Sequence, residues 1–107
     1  SGIQLLSWVD SQLKSEIPDQ NERLKFVLAS YNVGLGHVKD AQRLAGKYGK
    51  DPFRWVNNVD YYLLNKSISK YYNDPVSRWG YARGKEPFEF VTSVLNYYGH
   101  YRNVIPE

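Results

Sequence analysis

The sequence contains no cysteine, no methionine and only two histidines. Without cysteine there is no disulfide scaffold, no thiol catalysis and no cysteine-based zinc site, and the redox compartment stays open. A start codon supplies a methionine, so its absence points to a processed or excised piece of a longer protein. No apolar run approaches the roughly 20 residues that a bilayer span needs. Nor does a basic-then-apolar leader stand at the start. The two histidines, His37 and His100, lie far apart, and no Gly-x-Ser-x-Gly elbow is present, so nucleophilic triads are excluded. No His-x-x-x-His or His–carboxylate spacing occurs, so no metal site is expected. Gly34-x-Gly36 is too short for a phosphate-binding loop and follows a helical segment rather than a strand.

What is present is 107 residues, 42% hydrophobic, with a net charge of +3. That length fits one compact domain, and the apolar content is too high for a disordered polymer. The charge is compatible with an acidic polymer as partner without demanding one. The aromatic share is 16%, with ten Tyr, three Trp and four Phe. Tyrosine joins an apolar ring to a polar tip, so an excess of it points to half-wet grooves as well as core.

Apolar residues recur at helical spacing. Ile3, Leu6, Val9 and Leu13, widened by Leu5 and Trp8, predict a first helix that ends at Glu16-Ile17-Pro18. Asp19 and Glu22 have capping-box spacing ahead of a second helix, carrying Leu24, Val27, Leu28 and Tyr31 with Phe26 and Ala29 beside them. Gly34 and Gly36 break it, permitting a positive φ or a close backbone approach. A third helix from about Val38 to Lys47 turns Val38, Ala41, Leu44 and Ala45 inward, and Tyr48-Gly49 closes it. Asp51-Pro52 opens a short fourth helix, with Asp as N-cap and Pro at the first helical position. Tyr61 to Leu64 can make a helical turn, Asn73 to Gly84 reads as irregular loop, and Glu86-Pro87 starts a last helix with Phe88, Val91, Val94, Leu95 and Tyr98 on one side. No strand pattern survives, so the fold class is all-α, with residues 1–107 as one unit.

Two features bear on chemistry. Glu86 and Glu89, three apart in a first helical turn, fit either dipole complementarity or placed acids. None of the acids, Glu16 and Glu22 included, has an apolar wall beside it of the kind that makes a carboxyl a general acid. Between Tyr61 and Lys85, Lys66, Lys70, Arg78, Arg83 and Lys85 are interleaved with Tyr61, Tyr62, Tyr71, Tyr72, Trp79 and Tyr81. Such a mixture can grip a polyanion and stack bases, pack on sugar faces, or simply form a solvated loop whose rings cover the core.

A resemblance chooses among these. Leu28 through Val38 (Leu-Ala-Ser-Tyr-Asn-Val-Gly-Leu-Gly-His-Val) resembles the A-x-Y-N-x-G-x-x-H-V motif of the soluble-lytic-transglycosylase-like domain, a goose-lysozyme-like glycoside hydrolase fold. Lys39 through Ala45 resembles its continuation, and Asp51-Pro52-Phe53-Arg54-Trp55 a D-P-x-x-W element. Trp79 through Glu86 is similar to the Y-G-Y-A-R-G-x-E stretch of the membrane-bound lytic transglycosylase F type, and Glu86 through Val91 to the family's last motif. The similarity runs from about Glu16 to Tyr101, with the motifs in order.

The resemblance implies a lysozyme-like helical domain, here its C-terminal part. It implies that Tyr31 orients a catalytic glutamate, that Asn32 and Gly34 lie at the substrate groove, and that Glu86 lines it. Phe90 stands in the groove set where the family usually has tyrosine, which removes one hydroxyl. The family's E-S-x-x-(N/D)-P motif, which holds the catalytic glutamate, and the following G-L-x-Q/M-L stretch do not occur in residues 1–30. The expectation is therefore a fragment without its proton donor, inactive alone, from a lytic transglycosylase that cleaves the MurNAc–GlcNAc β-1,4 bond and leaves 1,6-anhydromuramyl ends. The alternative is a non-catalytic peptidoglycan-binding module. The resemblance further implies no cofactor and no metal. It implies a peptidoglycan glycan strand as partner rather than nucleic acid, a monomer, and a periplasmic location with any membrane anchoring left to regions outside this chain.

Overall fold

A computed structural model describes the backbone through residue 104 and the side chains through Tyr98, so the side chain of His100 and that of Tyr101 lie outside the described residues. Six α-helices follow one another: α1 (Gly2–Leu13), α2 (Gln20–Val33), α3 (Leu35–Lys47), α4 (Asp60–Leu64), α5 (Ser69–Tyr72) and α6 (Lys85–Val104). A π-helical turn, Trp55–Val59, precedes α4. No strand occurs among the described residues, so the all-α reading holds. No helix among them is long and apolar enough to cross a membrane.

The centre of the fold is α2, packed against α1, α3 and α6. Its inward face carries Glu22, Arg23, Phe26, Val27, Ala29 and Ser30, all buried. The spacing expectation had Leu24 and Tyr31 on that face, but they are 44% and 48% exposed. The face is chosen by polar residues that find partners inside. Arg23 donates to Asp10 Oδ1 at 2.6 Å and to the carbonyls of Ile17 and Pro18 at 2.9 and 3.1 Å, stapling the α1–α2 corner. Ser30 donates to the Phe26 carbonyl at 2.7 Å. A satisfied buried polar group costs little, so helix rotation is set by partners as much as by apolar spacing.

Other expectations are corrected in the same way. Asp19 does cap α2, accepting from the Asn21 amide, but Glu22 forms no capping box with it. The Glu22 carboxylate accepts instead from the Trp55 amide at 2.6 Å and from Lys25 at 3.0 Å. Asp51-Pro52 opens no helix. Asp51 accepts from the Phe53 amide at 2.9 Å, closing a tight turn that delivers Trp55 to Glu22 and sets its ring edge-on to Phe26 at 5.2 Å. Asn57, at φ 63°, then takes the left-handed conformation that asparagine tolerates.

On α1 the stripe is buried only at Val9 and Leu13, while Ile3, Leu5 and Trp8 are exposed. α3 starts at Leu35, three residues earlier than expected, because Gly34 alone makes the break. The Tyr61–Leu64 turn is α4, and α5 is a short helix that spacing did not foresee. On α6, Pro87 and Val91 go fully into the core and Leu95 packs against it, whereas Tyr98 is 58% exposed.

Candidate functional site

The junction of α2 and α3 is built by two glycines with different duties. Gly34, at φ 101°, turns the chain and returns its amide to the Ser30 carbonyl at 2.8 Å. Gly36, inside α3, leaves room for a ring: a Cβ there would sit 2.5 to 2.6 Å from three indole atoms of Trp79.

Beneath this junction lies Asp40, whose carboxylate is fully buried. Its Oδ1 accepts from the Arg78 amide at 2.8 Å and from Arg43. Its Oδ2 accepts from the Trp79 amide at 2.8 Å and from Lys66 Nζ at 2.7 Å. Lys66 is also fully buried, and its two remaining protons go to the Gly80 carbonyl at 2.5 Å and to His37 Nδ1 at 3.1 Å. Burial alone would push the Asp40 carboxyl up. The Arg78 amide, the Lys66 ammonium, the Trp79 amide and Arg43 outweigh it and hold the group below the ordinary carboxylate range. For His37, burial and then the Lys66 charge outweigh Asp40 and lower its pKa. An ammonium only donates, so Nδ1 of a neutral His37 is the acceptor. The arrangement pins residues 78–80 of the long loop to α3.

Of the residues singled out in the sequence, Tyr31 and Asn32 lie exposed on the last turn of α2, just ahead of Gly34. The Tyr31 hydroxyl reaches towards α1, 3.4 Å from where a Cβ on Gly2 would stand. Glu86 sits in the first turn of α6 with its side chain 62% exposed, 3.4 Å from Arg83. Phe90 is half-buried on the same helix. Tyr31, Asn32 and Gly34 are thus brought together by one turn, as are Glu86 and Phe90. No hydrogen bond joins the two sets among the described residues, and no carboxylate bonds the Tyr31 hydroxyl there.

The tyrosines sort differently from the expectation of a basic and aromatic zone. Tyr48 stacks on Tyr62 at 5.6 Å, and Tyr61 and Tyr71 meet Tyr62 edge-on at 5.1 and 5.8 Å. Of these rings, Tyr61, Tyr62 and Tyr71 wall a groove of about 670 Å³ that also takes in Lys50, Asp60 and Phe88. The bond that the Tyr61 hydroxyl donates to Tyr71 raises the pKa of Tyr61, and burial raises that of Tyr62, so both hydroxyls stay protonated at neutral pH. None of Tyr31, Asn32, Gly34, Glu86 or Phe90 lines this groove. Of the zone's cations, Lys66 is spent internally on Asp40, whereas Arg83 and Lys85 lie exposed near Glu86 and Glu89, Arg78 is exposed, and Lys70 sits over the Tyr48 and Tyr71 rings at 5.4 Å. Asp40, Lys66 and the seat of Trp79 escaped sequence reading. The available signal was one aspartate on the inward stripe of α3, between Val38 and Ala41 and Leu44.

No protein-family model matches the chain. Curated relatives do. A membrane-bound lytic murein transglycosylase F from Marinobacter nauticus is 41% identical over 97 residues, covering 91% of this chain and 18% of that protein. One of the same name from Pseudomonas fluorescens is 40% identical, covering 91% of this chain and 19% of the relative. A third, from Mannheimia succiniciproducens, is 39% identical over 105 residues, covering 92% and 21% respectively. The chain spans about a fifth of the length of these relatives. Across nearly all of its residues, then, it is homologous to part of the membrane-bound lytic murein transglycosylase F proteins.

Proposed function

We propose that this chain is the groove-forming part of a peptidoglycan lytic transglycosylase catalytic domain. It would act in cleaving the MurNAc–GlcNAc β-1,4 bond with formation of 1,6-anhydromuramyl ends. The observation that carries this is the match of 91% of the chain to relatives bearing that name. In this reading Tyr31 orients the catalytic glutamate, and Asn32, Gly34, Glu86 and Phe90 belong to the glycan groove. The exposure of Tyr31 and Asn32 beside buried Ala29 and Ser30 supports it, since a helix end that leaves such side chains to solvent has them available.

The proton donor is a glutamate outside these residues. Glu22 is occupied by the Trp55 amide and Lys25, and Glu86 and Glu89 are exposed beside Arg83 and Lys85. One carboxyl suffices for the reaction. It protonates the glycosidic oxygen as the bond breaks, then takes the proton from the muramyl 6-hydroxyl as the anhydro ring closes, so the acid of the first step is the base of the second. The muramyl N-acetyl group assists departure. A tyrosine bonded to that carboxyl fixes its direction, which is the part Tyr31 plays. The substrate is the glycan strand, the protein works as a monomer without cofactor or metal, and its place is the periplasmic face of the cell envelope, anchored through regions outside this chain.

The test is digestion of purified sacculi by the full-length protein, with products read by mass spectrometry. Anhydromuropeptides are expected. Reducing ends, or no products, refute the reading. Retention on sacculi without any product supports a glycan-binding module instead.

A further inference from the structure

Trp79 is 65% exposed, yet its backbone is firmly held. Its amide and that of Arg78 are both held by Asp40, and the next carbonyl, Gly80, by Lys66. Gly80 itself turns at φ 72°. The indole lies against the bare Cα of Gly36, where three ring atoms would be 2.5 to 2.6 Å from any Cβ. Part of the ring thereby abuts α3, and most of it is left to solvent. Apolar burial alone does not account for a large ring whose backbone is pinned by a buried ion pair and which is then left mostly wet.

We propose that Trp79 is a saccharide platform: its open face stacks on the C–H face of an N-acetylhexosamine in the glycan strand, beside the α2–α3 junction. The proposal rests on the glycan reading above and adds a residue and a subsite to it. A pyranose is amphipathic in the required way, with a flat apolar face and a hydroxyl rim, and a ring fixed in advance loses little side-chain entropy on binding. Most charges near the ring are already paired, and the exposed Arg78 beside it makes the oligothymidylate the control for a polyanion. Lys66 is buried on Asp40, Arg43 is bonded to Asp40, Lys47 to Asp74 at 2.6 Å, and Arg83 and Lys85 face Glu86 and Glu89.

Gly36 permits a test that leaves the indole in the chain. Full-length wild type, Trp79→Ala, Trp79→Phe and Gly36→Ala are titrated at low temperature with soluble glycan strands freed of peptide, and with a single-stranded oligothymidylate. Trp79→Ala should weaken glycan binding about tenfold, the order set by the apolar face of one ring. Gly36→Ala should do the same, because its new methyl displaces the indole while alanine suits a helix better than glycine. Trp79→Phe should recover most of the affinity, which separates stacking from folding. Glycan binding by Trp79→Ala equal to wild type overturns the platform and leaves the transglycosylase reading intact. So does a loss confined to the oligothymidylate. A wild type that neither binds strands nor releases anhydromuropeptides overturns both.

Discussion

Replacing Lys66 by methionine removes the ammonium but keeps most of the side-chain volume, so the loss isolates one charge. In the native structure that ammonium gives its three protons to Asp40, Gly80 and His37 at 2.7, 2.5 and 3.1 Å, with both Lys66 and Asp40 fully buried. Breaking a buried pair by removing one partner costs about 3–5 kcal/mol, because an uncompensated charge is left behind. Here Arg43, 29% exposed, stays on the carboxylate, as do the Arg78 and Trp79 amides, so the lower end, about 3 kcal/mol, is expected. That is a large part of the roughly 5–15 kcal/mol that holds a domain together. Urea unfolding followed by tryptophan emission reads it directly. The pH dependence gives a second readout. Asp40 is lowered in the fold, so its contribution is full above the ordinary carboxyl pKa of 3.8 and is lost as pH falls through the lowered value. Without Lys66 that lowering shrinks, and the acid-side loss of stability attributable to Asp40 shrinks with it. A midpoint change worth less than about 1 kcal/mol would show that the pair is not a buried charge hub at all.

Two further outcomes follow from the same geometry. His37 is lowered from 6.5, so it takes up a proton more readily unfolded than folded. Its contribution is complete above 6.5 and falls away as pH drops from there towards the lowered folded value; His37→Gln, whose amide oxygen still accepts from Lys66, should flatten urea midpoints measured from pH 7.5 down to 5, and an unchanged slope would count against the assigned contact. Gly84→Ala drives a Cβ into the Leu63 carbonyl at the α4–α6 seam, so a loss of about 2–3 kcal/mol is expected, whereas Gly46→Ala, with no atom nearer than 4.0 Å, should be neutral or stabilising; equal thermal shifts for the two would refute the packing argument.

Helix existence was legible wherever apolar residues and punctuation agreed, as in α3, where Val38, Ala41, Leu44 and Ala45 are all fully buried. It failed where a polar residue held an inward position. In α2, Glu22, Arg23 and Ser30 occupy the buried face and Leu24 and Tyr31 the exposed one, an inversion that hydropathy cannot register. Each of those polar groups is bonded to something remote in sequence or to backbone: Glu22 to Trp55, Arg23 to the α1–α2 corner, Ser30 to Phe26. Asp51-Pro52 misled for a related reason. Its cap chemistry is real, but it serves a turn, because the next residues are claimed by Glu22 and by the positive φ of Asn57. A local rule reads local partners, and these elements are set by distant ones.

The candidate site shows the same limit in a sharper form. The string from Leu28 to Ala45 and the string from Trp79 to Glu86 were readable as separate resemblances. What neither discloses is that they are halves of one device. Asp40 accepts from Arg78 and Trp79 across 38 and 39 residues, and Gly36 receives the ring that those bonds deliver. Once the partner loop is seen, the residues of the first string acquire reasons: Gly34 for the turn, Gly36 for the indole, His37 for a proton of Lys66, Asp40 for two amides and two cations. Trp79 is exposed, and it is the bond to its backbone amide together with the bare Gly36 under the ring that sets its place. The glycan titration of Gly36→Ala therefore adds what truncation of the ring cannot: it keeps every atom of the indole and changes only where the ring stands against α3.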